Sequence, residues 1–208
     1  MTAESATFLP ANVESLAEIN ALIQRSKRHW PWPEGYLELA LPLHRLDANY
    51  LIENDCFEVR SKDGHLIAFL AVIVTLEYVL LDQLWVDPPH IRTGVGRDLC
   101  NFLFERAWLL GWSKIVVYPD PPAEGFYTKL GFKDTGERIP SRVPGGPTFR
   151  VMLWTCRFPL SQAEGTIPAT VPFLWVDQGA TCGSRGDMPQ EIPTRYDWLM
   201  FCVFRPLR

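Results

Sequence analysis

The sequence has little that would tie it to a membrane, a nucleic acid or a metal. No apolar stretch reaches the roughly 20 residues a membrane helix needs. The longest, Leu66 to Val74, suits a buried strand. The N-terminus, Met1-Thr2-Ala3-Glu4-Ser5, lacks a basic segment followed by an apolar run, so no secretory signal is expected. The net charge of −4 leaves no global basic field for nucleic acid. The cysteines, Cys56, Cys100, Cys156, Cys182 and Cys202, are odd in number and widely spaced, with no Cys-x-x-Cys pair. That pattern argues for reduced thiols in a cytoplasmic protein, against a disulfide framework or a zinc site. No metal is expected, and no internal repeat is evident.

What is present is enough apolar material for a sizeable core. The 208 residues are 47% hydrophobic, which suits one domain plus an appendage or one large domain. Thr7-Phe8-Leu9 reads as a short strand. Asn12 fits an N-cap, and Val13, Leu16, Ile19 and Ile23 recur at helical spacing until Ser26-Lys27-Arg28-His29. Trp30-Pro31-Trp32-Pro33 breaks that helix. A second helix is expected from Pro33 or Glu34 toward His44, shortened by Pro42. Cys56 to Ser61 and Leu66 to Thr75 read as strands, joined at Asp63-Gly64 by a tight turn. Tyr78 to Val86 is a further strand. Val95, Leu99, Leu103, Ala107 and Leu110 line one helical face, closed by Gly111. Lys114 to Tyr118 is a short buried strand, Ala123 to Leu130 a short helix ended by Gly131, and Phe132 begins another strand. Pro140 to Pro147 is a loop, and Thr148 to Cys156 the last clear strand.

Beyond about Phe158 the chain is rich in proline and glycine and loses helical periodicity. Tyr196 to Phe204 is too apolar and aromatic for a free tail. The expected organisation is a domain over 1–157 and an extension over 158–208, packed on the domain or on a neighbouring subunit, with a homodimer as one outcome.

The most informative stretch is Val86-Asp87-Pro88-Pro89-His90-Ile91-Arg92-Thr93-Gly94-Val95-Gly96-Arg97, between a strand and a helix. A glycine turn that opens a helix offers backbone N–H groups and the positive end of the helix dipole to an anion, most often a phosphate. Glycine at 94 and 96 lets backbone approach that anion without a Cβ in the way. Arg92 and Arg97 flank the turn and can add charge-assisted hydrogen bonds. A dinucleotide-binding turn would need Gly-x-Gly-x-x-Gly, and Gly96 is followed by Arg97-Asp98-Leu99. Further on comes Glu124-Gly125-Phe126-Tyr127-Thr128-Lys129-Leu130-Gly131-Phe132.

Together these motifs resemble the acetyl-coenzyme-A-dependent GNAT acyltransferase superfamily, strongly over 80–132 and weakly elsewhere in 5–157. The family pattern Gln/Arg-x-x-Gly-x-Gly/Ala is met in its last four positions by Thr93-Gly94-Val95-Gly96, while Ile91 departs from the first. The resemblance implies an α/β fold with a mixed, bent sheet flanked by helices. It implies acetyl-CoA as cosubstrate and transfer of its acetyl group to a primary amine of a small molecule or peptide. The cosubstrate would be held by Leu84, Trp85 and Val86 of the fourth strand, by the turn from Arg92 through Thr93, Gly94, Val95 and Gly96 to Arg97, and by Asp120, Ala123, Phe126 and Tyr127. Tyr127 stands where the family puts the tyrosine that protonates the departing thiolate. Asp120 stands where the family often has an asparagine. An acidic residue on the fourth strand often serves as base, which makes Asp82 the first candidate and Glu77 the second.

The segment with Trp30 and Trp32 falls where family members form the acceptor mouth, and loop 141–147 would lie across it. The loop's glycines suggest mobility, and Arg142 or Arg150 would suit an acceptor carboxylate. Two other readings fit the same sequence: a catalytically weak acyl-CoA-binding module, and an interaction protein that works through its C-terminal extension.

Overall fold

The computed structural model describes residues 7–156, so the extension expected over 158–208 lies outside the described residues. Within them, seven strands form one sheet in the order β1-β2-β3-β4-β5-β7-β6. The strands are β1 (Thr7–Pro10), β2 (Asp55–Arg60), β3 (Leu66–Val74), β4 (Val79–Val86), β5 (Lys114–Val117), β6 (Lys133–Pro140) and β7 (Thr148–Thr155). All neighbours pair antiparallel except β4 and β5, which run parallel. A parallel neighbour needs a crossover. Here α4 (Val95–Leu110) supplies it.

The nine-residue apolar run of β3 is explained by a core on each face. Ala68, Leu70 and Val72 join Leu99, Leu103 and Ala107 of α4 on one side. Phe69 and Ala71 meet Ile19, Leu22 and Ile23 of α1 (Leu16–Arg28) on the other. A strand covered on both faces loses the alternation of a half-buried one. At the far edge β6 is almost wholly exposed and reads Lys-Asp-Thr-Gly-Glu-Arg-Ile-Pro, a polar edge that discourages pairing with another chain.

Three local expectations need correction. The second helix, α2 (Tyr36–Leu43), begins later than Pro33 or Glu34 because Gly35 is left-handed, at φ 74°. The turn at Asp63-Gly64 has one positive φ, at Gly64 (81°), and Ser61 N–H bonds His65 C=O at 2.9 Å. It is thus a three-residue loop rather than a two-residue turn. A short helix, α3 (Ala48–Glu53), capped by Asp47 on the Tyr50 N–H at 2.8 Å, has no counterpart in the sequence reading.

Loop 141–147 is packed, not free-standing. Val143 is buried against Tyr36 and Ala40 of α2. A Cβ on Gly146 would stand 2.8 Å from both Ser141 Cβ and Tyr36 Cε2, so this glycine makes room for a docked loop.

Candidate active site

The parallel register of β4 and β5 is short. It runs from Val79↔Ile115 to Leu81↔Val117 and stops. Beyond it β5 gives way to Tyr118-Pro119-Asp120, and proline has no N–H to donate. Residues 82–86 of β4 therefore have β3 on one side and, among the described residues, no strand on the other. Asp82 sits at a bulge: Leu81 pairs Val72 and Gln83 pairs Ala71, leaving Asp82 as the extra residue. Such bulges bend a strand and re-aim its side chains.

This splay opens into a cavity of about 820 Å³ that continues to the glycine turn. The turn itself is built as the spacing predicts. Gly94 has φ 110°, a value side-chain-bearing residues rarely adopt. The first full helical bond of α4 runs from Asp98 N–H to Gly94 C=O at 3.0 Å, so the amides of Val95 and Gly96 precede it. A Cβ on Gly96 would lie 3.4 Å from the Phe126 ring and 3.6 Å from Val86, so this glycine lets α4 close onto both. Arg92 is the one non-glycine residue with positive φ among those described, at 68°. Strain of this kind gathers at ligand clamps.

Of the residues singled out from the sequence, Trp30, Asp82, Leu84, Trp85, Val86, Arg92, Thr93, Gly94, Gly96, Arg97, Asp120, Ala123, Phe126 and Tyr127 line this one cavity. Val95 turns toward the core instead. Trp32 does not line it: its ring stacks on Tyr36 at 4.8 Å and its Nε1 donates to Lys27 C=O at 2.8 Å. Arg142 is exposed on the docked loop, outside the lining, yet near enough to act electrostatically on His44. Arg150 is committed elsewhere, to Glu124 at 2.8 Å and Asp134 at 2.7 Å. Glu77 is exposed in the β3–β4 turn, outside the lining.

Tyr127, on α5 (Glu124–Lys129), is 5% exposed and packs edge-on against Phe126 and Phe132. Burial, with Cys100 and Asp120 nearby, pushes its phenol well above the ordinary tyrosine range. It therefore keeps its proton through neutral pH, and its hydroxyl bonds no other described residue. Asp82 belongs to a chain of polar groups. Tyr50 Oη and Gln83 Nε2 both donate to its Oδ2, at 2.5 and 2.8 Å, and Trp85 Nε1 donates to Gln83 Oε1. Its Oδ1 takes no bond from a described residue.

Three participants were not singled out from the sequence. Tyr50 arrives on the unforeseen α3. His44 caps α2 and meets Trp85 edge-on at 5.7 Å. Burial and then Lys27 lower its pKa to about 4, so it lines the cavity as neutral imidazole. Lys27, in the last turn of α1, is fully buried and holds both Asp120 oxygens, at 2.7 and 2.8 Å. One signal was available: a lysine at the helical spacing of Ile19 and Ile23 sits on the buried face. Asp87, of Val-Asp-Pro, proves to anchor α1 through Arg25 at 2.8 Å.

His44 gives the fold a pH dependence. Its folded pKa lies below the unfolded value of 6.5, so the unfolded chain binds a proton first as pH falls. Stability from this group is complete above 6.5 and drains away toward pH 4. At pH 5 the loss is about 1–2 kcal/mol. Thermal melts at pH 7 and pH 5 check this: His44→Gln should lose less Tm between them than the parent, and an equal loss would refute it.

The model of the acetyltransferase (GNAT) family matches residues 16–132, more than half of the chain. The chain belongs to the GNAT acetyltransferase family. A curated relative, N-acetyltransferase family 8 member 3 of Rattus norvegicus, is 28% identical over 120 residues. That match covers 52% of each sequence, so the chain spans about half the length of this relative. The fold is shared with the PaiA N-acetyltransferase of Thermoplasma acidophilum, solved with coenzyme A: TM-score 0.61, 16% identity, 73% of this chain and 99% of that one. It is shared also with a GCN5-related N-acetyltransferase of Rhodopseudomonas palustris: TM-score 0.65, 18% identity, 75% and 99% covered. The ribosomal-protein-S18-alanine N-acetyltransferase of Escherichia coli gives TM-score 0.56 at 18% identity, with 77% and 100% covered. No helix among the described residues is long and apolar enough to cross a membrane.

Proposed function

We propose that this chain transfers an acetyl group from acetyl-CoA directly to a primary amine of a small molecule or peptide. The observation that carries the reading is the continuity of one cavity. A glycine turn at a helix N-terminus, an unpaired β4 edge and a buried, uncommitted phenol all open onto it. The residues fit the cosubstrate. The amides of Val95 and Gly96, with Arg92, Thr93 and Arg97, suit a pyrophosphate. The free backbone of Leu84 to Val86 suits an extended amide-bearing arm, as an unpaired sheet edge suits a strand. Ala123 and Phe126 close the other wall. The thioester supplies an activated acyl group.

Positioning is the main work of this site, because two bound reactants held in line avoid most of the entropy of encounter. Amides of β4 polarise the thioester carbonyl. Asp82, with Oδ1 uncommitted, takes the proton that the ammonium must lose before attack. The C–N bond forms, the C–S bond breaks, and Tyr127 gives its proton to the departing thiolate. Trp30 walls the mouth, Trp32 stiffens it from behind, and Arg142 at the rim meets the part of the acceptor beyond its amine.

The test is thiol release from acetyl-CoA with a panel of primary amines, followed by mass analysis of the amine. The expected result is one acetylated amine per thiol. Thiol release without an acetylated amine would mean hydrolysis and would overturn direct transfer.

A further inference from the structure

Two carboxylates line the cavity, one on each side of the splay: Asp82 on β4 and Asp120 after β5. Asp120 is built in an unusual way. Lys27 reaches it from α1, which packs on β3 and β4, so the ion pair bridges the two sides of the splay. The ammonium is sealed in. Its side chain is 0% exposed and lies 4.3 Å from the Trp32 ring centre and 5.7 Å from that of Trp85. Asp120 is 18% exposed, so the carboxylate is the face the pair presents to the cavity it lines.

A buried ammonium is retained only if an anion and suitable neighbours compensate it. Asp120 and two indole faces do that here. A neutral amide at 120 would leave Lys27 without its counterion. Lys27 and Asp120 are therefore a matched pair. Their chemistry differs from that of an amide. A carboxylate accepts only, with about four lone-pair sites, and Lys27 takes one on each oxygen. What remains toward the cavity suits an N–H donor, and a cationic one best.

We propose that Lys27 is a positioning residue that presents Asp120 to the acceptor, and that the acceptor enters as an alkylammonium seated on Asp120. The proton then passes from that nitrogen to Asp82 Oδ1, the freed lone pair attacks, and Asp120 keeps its bonds to Lys27 throughout. This deepens the transfer reading and rests on it.

The experiment compares amines that are ammonium ions at pH 7 (benzylamine, propylamine) with amines that are neutral there (aniline, benzhydrazide). The full chain and the Lys27→Met/Asp120→Asn variant are both assayed by thiol release. Acetyl-CoA binding is followed separately by calorimetry. The parent should favour the ammonium group by about tenfold or more in kcat/KM. The double variant should lose that preference when both proteins are assayed at saturating acetyl-CoA. A parent that prefers the neutral amines, or a double variant that keeps the parent's preference, overturns the proposal and leaves transfer standing. A parent that neither binds acetyl-CoA nor releases thiol with any amine removes the transfer reading, and this proposal with it. Should the double variant not fold, Lys27→Met alone decides: the preference narrows as Asp120 loses its fixed place, and an unchanged preference refutes the role of Lys27.

Discussion

Asp120→Ala is expected to destabilise the fold by about 3–5 kcal/mol, the usual cost of leaving one member of a buried ion pair alone. The reason is the asymmetry of the pair. Lys27 is sealed at 0% exposure, whereas Asp120 keeps 18%. Removing the acid strands an ammonium with only indole faces for company. Removing the base strands a carboxylate that the cavity can solvate, so Lys27→Met should cost clearly less. Removing both charges, as Lys27→Met/Asp120→Asn, should recover most of the loss, because no buried ion is then left without its partner. In thermal melts the alanine variant should fall by roughly 10 °C, at 2–4 °C per kcal/mol for a chain of this size. Equal losses in the two single variants would refute the asymmetry, and an Asp120→Ala variant that melts with the parent would show that the pair contributes little.

Tyr127→Phe is expected to lower kcat by about 10²-fold, the scale of a positioned general acid. The fold should be untouched. The phenol makes no hydrogen bond to another described residue, so no partner is orphaned, and the ring keeps its edge contacts with Phe126 and Phe132. Because burial raises the phenol far above its ordinary range, the parent holds this proton across neutral pH. The loss should therefore be uniform over that range, without a new limb in the pH profile. A variant with parental kcat would reduce Tyr127 to packing and move the acid elsewhere.

Local chemistry was legible in the sequence; assembly was not. The turn at 93–96 could be read because two glycines, a preceding strand and a following helix lie within a few residues of one another. Gly111 as a helix stop was equally local, and it adopts φ 72°. Asp82 was named for its place on a strand, but the bulge that re-aims it comes from the register against β3. Tyr50 could not be read because the short helix α3 that carries it was not foreseen, and His44, at the end of a helix that was, because its role depends on packing against Trp85 of β4. The two tryptophans at 30 and 32 looked alike, and only the stacking of Trp32 on Tyr36 separates wall from scaffold. Loop 141–147 looked mobile because glycine permits many conformations. At Gly146 the residue is needed for space, a fact set by Tyr36 a hundred residues away in the chain.

Binding of acetyl-CoA at the glycine turn is measured most directly by titration calorimetry of the parent and of Gly96→Glu. A glutamate there would drive bulk against Phe126 and Val86 and bring negative charge to the place reserved for pyrophosphate. The parent should bind, and the variant should bind at least tenfold more weakly, about 1.4 kcal/mol. A folded Gly96→Glu variant with parental affinity, or a parent that does not bind acetyl-CoA, would contradict the account.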